Sequence, residues 1–235
     1  VKHGLSATQF TVHADEGHHH PHRRLADILA IIESGGLPEP VQRAAASTFQ
    51  RIAECEAAVH GVPVDSVHFH EIGALDSIAD IVAAHLGLHL LGIEEVAASP
   101  LNLGSGTVTT AHGVLPVPAP ATVRLLAGAP GYGSAVPFEL VTPTGAALIT
   151  QWARAFGPMP EMVVETVGYG SGVRDLPDRA DVLRLVVGAA ASAMPDTEPV
   201  SIIEANIDDM NPELLPPLIS ELLARGARDA FLTPL

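Results

Sequence analysis

The sequence predicts a mixed α/β protein, layered in the α+β manner, and three observations carry that class. Helical periodicity alternates along the chain with short β-like runs around Val96, Val108, Glu139, Val163, Val182 and Ile202. Hydrophobic residues make up 47% of the 235 positions and charged residues 17%, which is enough apolar material for a sizeable core. Residues 189–199 (A-A-A-S-A-M-P-D-T-E-P) lack periodicity altogether. One main mixed α/β domain is therefore expected over 1–190, a linker over 191–199, and the start of a second, smaller α+β domain over 200–235.

The elements follow in order. Residues 13–22 (H-A-D-E-G-H-H-H-P-H) are polar with Gly and Pro and read as a loop. Leu25, Ile28, Leu29 and Ile32 recur at helical spacing before Gly35-Gly36. A second helix is expected from Val41, with Ala45, Phe49, Ile52 and Val59 on one stripe up to His60-Gly61 and Cys55 inside it as a small packing residue. Ser66 to His70 alternates like a short strand, and Gly73 punctuates it before a helix from about Leu75 to Leu91. Further helices are expected over Ala119–Leu126, Gly145–Phe156 and Leu214–Arg225. The chain opens at Val1 without methionine and stops at Thr233-Pro234-Leu235 after a strand-like run, so it reads as a fragment of a longer protein.

Composition narrows the function. Twelve Lys+Arg against 27 Asp+Glu give a net charge of −15, which argues against nucleic-acid binding, because that needs a basic face. The single cysteine excludes a disulfide framework and a Cys-based zinc knuckle within the chain, and fits a reducing, cytoplasmic setting. Lys2 is the one lysine, so no Gly-Lys-Ser/Thr phosphate loop exists here. The longest apolar stretch, Ile72 to Ile93, is broken by Asp76, Asp80, His85 and His89, and no membrane span or signal peptide is expected. All twelve histidines fall between His3 and His112.

Metal chemistry must then run on nitrogen and oxygen. In a strand, His68 and His70 point to the same side while Phe69 packs behind, and Glu71 follows at the turn. Such a set suits Zn, Ni, Fe or Co; the alternative is a pair of histidines that hydrogen-bond locally at a strand end. On the next helix Asp76 and Asp80 share a face with Ala83, Ala84 and Gly87, opposite Ile78, Ile81 and Val82. The alternative there is a dipole-favoured Asp76 and a solvated Asp80. His85 and His89 project from the Ile78 side and are left out of the site. His18, His19, His20 and His22 form a separate, multidentate metal-collecting loop.

Anion sites are expected where strands turn into helices. Thr142, Pro143, Thr144 and Gly145 combine hydroxyls with free helix N–H groups and can hold a phosphate or simply cap a helix. Gly104-Ser105-Gly106, the turn containing His112, and Gly168 to Gly172 let backbone approach a ligand or serve only as hairpins. Asn206, Asp208, Asp209 and Asn211 can hold Mg²⁺ or Mn²⁺ beside phosphates or form a helix N-cap.

Seven strings, in order, resemble one family. They are H-H-H-P-H-R-R-L-A-D-I, A-E-C-E-A-A-V-H-G, V-H-F-H-E-I-G-A-L-D-S-I-A-D-I, T-A-H-G-V-L-P-V-P-A-P-A-T, E-L-V-T-P-T-G-A-A-L, V-G-Y-G-S-G and E-A-N-I-D-D-M-N-P-E. Together they are similar to the nickel insertion proteins, the LarC family. The resemblance implies a CTP-dependent cyclometallase that inserts Ni²⁺ into a pyridinium bisthiocarboxylate mononucleotide, with Mg²⁺ or Mn²⁺ assisting. The product would complete the nickel-pincer nucleotide cofactor of lactate racemase, whose apoprotein is an indirect partner, and a homo-oligomer is expected. CTP binding is associated with the family's second domain, so residues 200–235 would begin a truncated nucleotide-binding domain and the fragment alone would be inactive. Individual roles go beyond the resemblance and come from the residues read beside it: the loop histidines are expected to collect Ni²⁺ and His68, His70 and Glu71 to receive it. Asp76 or Asp80 assists, a carboxylate accepts the proton, and Thr142, Thr144, Gly145, His112, Asp208 and Asp209 are candidates for nucleotide contacts. The rival readings are a non-catalytic nickel-storage module and a metal-dependent hydrolase.

Overall fold

The structure is a computed structural model that describes residues 1–13, 23–69, 72, 74–110, 112–174, 176, 179–191, 201–205 and 209–232. The chain divides into two compact units, Val1–Ala191 and Ser192–Leu235.

A helical cluster forms the core of the first unit. Helix α1 (Leu25–Ser34) buries Leu25, Ile28 and Ile32, and its Asp27 carboxylate accepts the Arg24 N–H at 2.9 Å. Helix α2 (Glu39–His60) buries Val41, Ala45, Thr48, Phe49, Ile52, Ala53 and Ala57, a stripe advancing by three or four residues that must face other elements on one side. It ends at Gly61, whose φ of 66° is left-handed and costs a side-chain-free residue little. Around α2 pack α1, α3 (Leu75–Leu90), α4 (Pro120–Leu125) and α5 (Pro143–Trp152). Cys55 of α2 packs against this core, and burial pushes its thiol up, as suits a packing residue.

The mixed α/β class holds, with its strands in two-stranded pairs. β1 (Arg23–Arg24) and β2 (His68–Phe69) are antiparallel, with Arg24 opposite His68. β3 (Val96–Ala98) lies parallel to β8 (Ala153–Phe156), and β4 (Leu101–Gly104) parallel to β7 (Gly131–Gly133). β5 (Thr107–Thr110) and β6 (Gly113–Pro116) form a hairpin, and β9 (Met162–Ser171) pairs with β10 (Val182–Ala190). β1 to β8 are pieces of two to four residues that bury few side chains, and the longer β9 and β10 contribute no residue to the buried core, so the helices supply most of it.

Three expected elements differ. The helix expected over Gly145–Phe156 starts at Pro143 and stops at Trp152, because Ala153 turns extended (φ −68°, ψ 119°) to pair with Val96. Glu139 makes one isolated bridge, to Gly104, and no strand. Ile202 is 81% exposed and belongs to no strand among the described residues. In the second unit a single 3₁₀ turn (Pro212–Leu214) leads into α6 (Leu215–Ala224). The terminal tripeptide, the linker core and the loop 14–22 lie outside the described residues.

Candidate functional site

A cavity of about 170 Å³ opens on the first unit where five segments converge. The last turn of α2 contributes Glu56, Val59 and His60, and β2 contributes His68 and Phe69. The β5–β6 hairpin brings Thr110, His112 and Leu115, and the starts of α4 and α5 close it with Ala119, Pro120, Ala121 and Pro143. The walls are largely apolar, so the imidazoles and the Glu56 carboxylate supply most of its polarity.

Strand alternation explains His68. Phe69 is 2% exposed and meets Phe49 edge-on, ring centres 6.4 Å apart, so its neighbour must face outward into the cavity. His70 and Glu71, expected beside it, lie outside the described residues, as do His18, His19, His20 and His22.

His60 and His112 meet at the same cavity. Their ring centres are 4.6 Å apart with planes inclined by 47°. His60 Nε2 is 3.4 Å from Glu56 Oε2, one helical turn earlier. Among the described residues, no group of three or more His, Cys, Asp or Glu side chains is gathered closely enough to hold a metal ion. Sequence reasoning missed Glu56 and His60 as site residues. Their signal was a Glu and a His four apart at the end of a helix, just before Gly61.

The aspartates stand elsewhere. Asp76 and Asp80 are exposed on α3 and are absent from the cavity lining. Asp76 Oδ1 accepts the Ser77 N–H at 2.7 Å. Partial desolvation, and then the charge of Asp76, pushes the Asp80 carboxyl above its ordinary value. On the other face His85 is buried with Ile78 and Ile81, away from both aspartates.

Thr142 caps α5: its Oγ1 accepts the Gly145 N–H at 3.2 Å. Pro143 reaches the cavity, whereas Thr142, Thr144 and Gly145 do not line it. Gly104 has a φ of 79°, and a Cβ there would collide with the Phe138 carbonyl, so this glycine serves a close backbone approach. In the second unit Asn211 caps its turn by accepting the Glu213 N–H at 3.1 Å. Asp209 is exposed there, and Asp208 lies outside the described residues. Among the described residues no helix is long and apolar enough to cross a membrane.

Comparison with known proteins adds the lineage. The family model described as nickel insertion protein matches residues 1–235. A relative from Geobacter metallireducens is 51% identical over 232 residues, covering 99% of this chain and 59% of its own length. A pyridinium-3,5-bisthiocarboxylic acid mononucleotide nickel insertion protein from Desulfitobacterium hafniense is 48% identical over 237 residues, 99% of this chain and 58% of the relative. One of the same description from Geobacillus kaustophilus is 44% identical over 250 residues, 100% of this chain and 61% of the relative. The chain thus spans about 60% of the length of these relatives. No solved structure matches it. With its whole length matched, the chain belongs to the nickel insertion protein family.

Proposed function

We propose that this chain serves the insertion of Ni²⁺ into pyridinium-3,5-bisthiocarboxylic acid mononucleotide, the substrate named in two of its relatives. The observation that supports a binding role for the first unit is the convergence of His60, His68, His112 and Glu56 on one cavity. Imidazole and carboxylate suit Ni²⁺, and the apolar remainder of the wall suits a flat ring.

In the proposed reaction a ring carbon exchanges its proton for nickel, and two thiocarboxylate sulfurs complete the coordination. The proton leaves to a carboxylate base, and CTP is cleaved with Mg²⁺ or Mn²⁺ assisting. His68, with His70 and Glu71 beyond it in sequence, receives the metal from the loop histidines His18, His19, His20 and His22. Asp76 and Asp80 are the carboxylates assigned to assist from α3. Thr142, Thr144 and Gly145 are assigned to the substrate phosphate, and Asp208 and Asp209 to the CTP-bound cation. The setting is the cytoplasm, and the end use is the nickel-pincer cofactor of lactate racemase.

The test is His68→Ala with His70→Ala in the full-length protein, assayed for nickel-loaded mononucleotide and for lactate racemase activation. Loss of both with an intact fold is expected; unchanged product and nickel content would sink the assignment. A storage role, favoured by the four histidines within 18–22, predicts nickel binding with no CTP consumed.

A further inference from the structure

We propose that Arg24 is a substrate-binding residue: its guanidinium holds the oxygen of one ring thiocarboxylate of the mononucleotide and so turns that group's sulfur toward the metal received at His68. The inference deepens the nickel-insertion reading and rests on it for the substrate and for the role of His68. The placement of Arg24 stands independently.

Arg24 lies directly opposite His68 in the antiparallel pair β1–β2. Opposite residues of such a pair share a face, with Cβ atoms about 4.5 to 5.5 Å apart. The burial of the four residues agrees: Phe69 is buried and Arg23, opposite it, is half-buried, whereas His68 and Arg24 are both exposed. His68 lines the cavity and Arg24 does not, so the arginine stands at the rim beside the imidazole. Its side chain is long enough to reach a group held at that neighbour.

The guanidinium is uncommitted among the described residues. Arg24 donates its main-chain N–H to Asp27 Oδ2 at 2.9 Å, but an arginine side chain carries donors only and cannot cap the helix N–H groups. Arg43, Arg154 and Arg225 are each paired with a glutamate, and Arg51 donates to Ala147 and Thr150 of α5; no such pair engages the Arg24 side chain. In a chain of net charge −15, beside a cavity that also holds the Glu56 carboxylate, this cation offsets the repulsion an anionic ligand would meet.

Hardness sorts the two donor atoms. A thiocarboxylate shares one negative charge between an oxygen and a sulfur. Guanidinium N–H groups make their strong, charge-assisted bonds to oxygen, which leaves the softer sulfur to the metal. With the oxygen held at Arg24 and the metal at the adjacent His68, the sulfur and the neighbouring ring carbon are presented to the nickel together. The phosphate is the other anionic group of the same molecule, and it carries no sulfur to direct.

The test is calorimetric binding of two nickel-free probes to the full-length protein: the bisthiocarboxylate mononucleotide, and the pyridinium mononucleotide that lacks both thiocarboxylates and keeps the phosphate. Arg24→Gln should weaken binding of the first about tenfold and leave the second unchanged. Arg24→Lys, which keeps the charge without the planar fork, should fall between parent and Arg24→Gln. Ni²⁺ titrated alone should bind the parent and Arg24→Gln equally, with circular dichroism unchanged. Equal weakening of both probes would put the phosphate at Arg24, and unchanged binding of both would leave the residue without a ligand; either overturns the proposal. So would loss of Ni²⁺ binding or of ellipticity in Arg24→Gln, which would mark a structural role. Parent protein that binds the bisthiocarboxylate probe without metallating it would sink the nickel-insertion reading and leave the Arg24 result standing. Parent protein that does not bind that probe would overturn both.

Discussion

Trp152 donates its indole N–H to His85 Nδ1 at 3.2 Å, and that bond fixes the imidazole as the Nε2–H tautomer, because an indole can only donate. Nε2 then donates to Thr48 Oγ1 at 2.8 Å, and the Thr48 hydroxyl donates to Gln151 Oε1 at 2.7 Å. Gln151 Nε2 closes the chain on the Ala44 carbonyl at 3.1 Å. Three helices, α2, α3 and α5, are tied together through a neutral histidine. Protonating Nδ1 would break the bond from Trp152.

A pH dependence of stability follows. Desolvation lowers the pKa of His85 from 6.5 to about 4. As pH falls below 6.5 the unfolded chain takes up a proton that the folded one refuses. The contribution is therefore full above pH 6.5, lost progressively down to about pH 4 and level below it. A gap of this size corresponds to about 3 kcal/mol. Urea denaturation between pH 8 and pH 4 should show it, and His85→Gln, which can still accept from Trp152, should flatten the slope in that window. Equal slopes for both proteins would rule His85 out as the source.

Thr142 is expected to matter first as a helix cap. Removing its hydroxyl in Thr142→Ala leaves the Gly145 N–H without its acceptor and should cost about 1 kcal/mol, while Thr142→Ser should cost much less. Because Pro143 borders the cavity, fraying here loosens one wall. Denaturation midpoints check the stability. A rise in KM for the mononucleotide in the Ala variant, absent in the Ser variant, checks the link to binding.

Asp80 should behave in the opposite sense to His85. Its folded carboxyl holds its proton more tightly than the unfolded one, so the stability it contributes is present below the ordinary pKa of 3.8 and is lost as pH rises through the raised value. At pH 7 the charged side chain is a burden, and Asp80→Asn should stabilise the fold. The gain should stay below about 1 kcal/mol, because the residue is exposed and its charge screened. No gain is expected at pH 3. Destabilisation at pH 7 would show that Asp80 has a favourable partner in the folded protein.

Local signals proved legible and pairing partners did not. The α2 stripe from Val41 to Val59 and the stop at Gly61 follow from periodicity and from left-handed backbone, both properties of neighbouring residues. The inward Phe69 and outward His68 follow from strand alternation. Ala153 leaves the helix because Val96 offers it a strand, a relationship spanning more than fifty residues that no local pattern encodes. The cavity is non-local in the same way. His68 and His112 were recognised singly, and Pro143 within a strand-to-helix turn, but only the fold sets them around Glu56 and His60.

Phe69 links stability to the metal site. At 2% exposure, with Phe49 against its edge, it is the anchor that holds the two-residue strand β2 and so aims His68 at the cavity. Phe69→Ala empties a core position and should cost about 3–5 kcal/mol, whereas Phe69→Leu refills most of the volume at a smaller cost. If the anchor also sets the pose of His68, Ni²⁺ affinity measured on protein that is still folded should fall in the Ala variant and stay within about twofold of the parent in the Leu variant. Denaturation curves and nickel titrations on the same preparations check both parts. Equal nickel affinity in all three proteins would show that Phe69 acts on the fold alone.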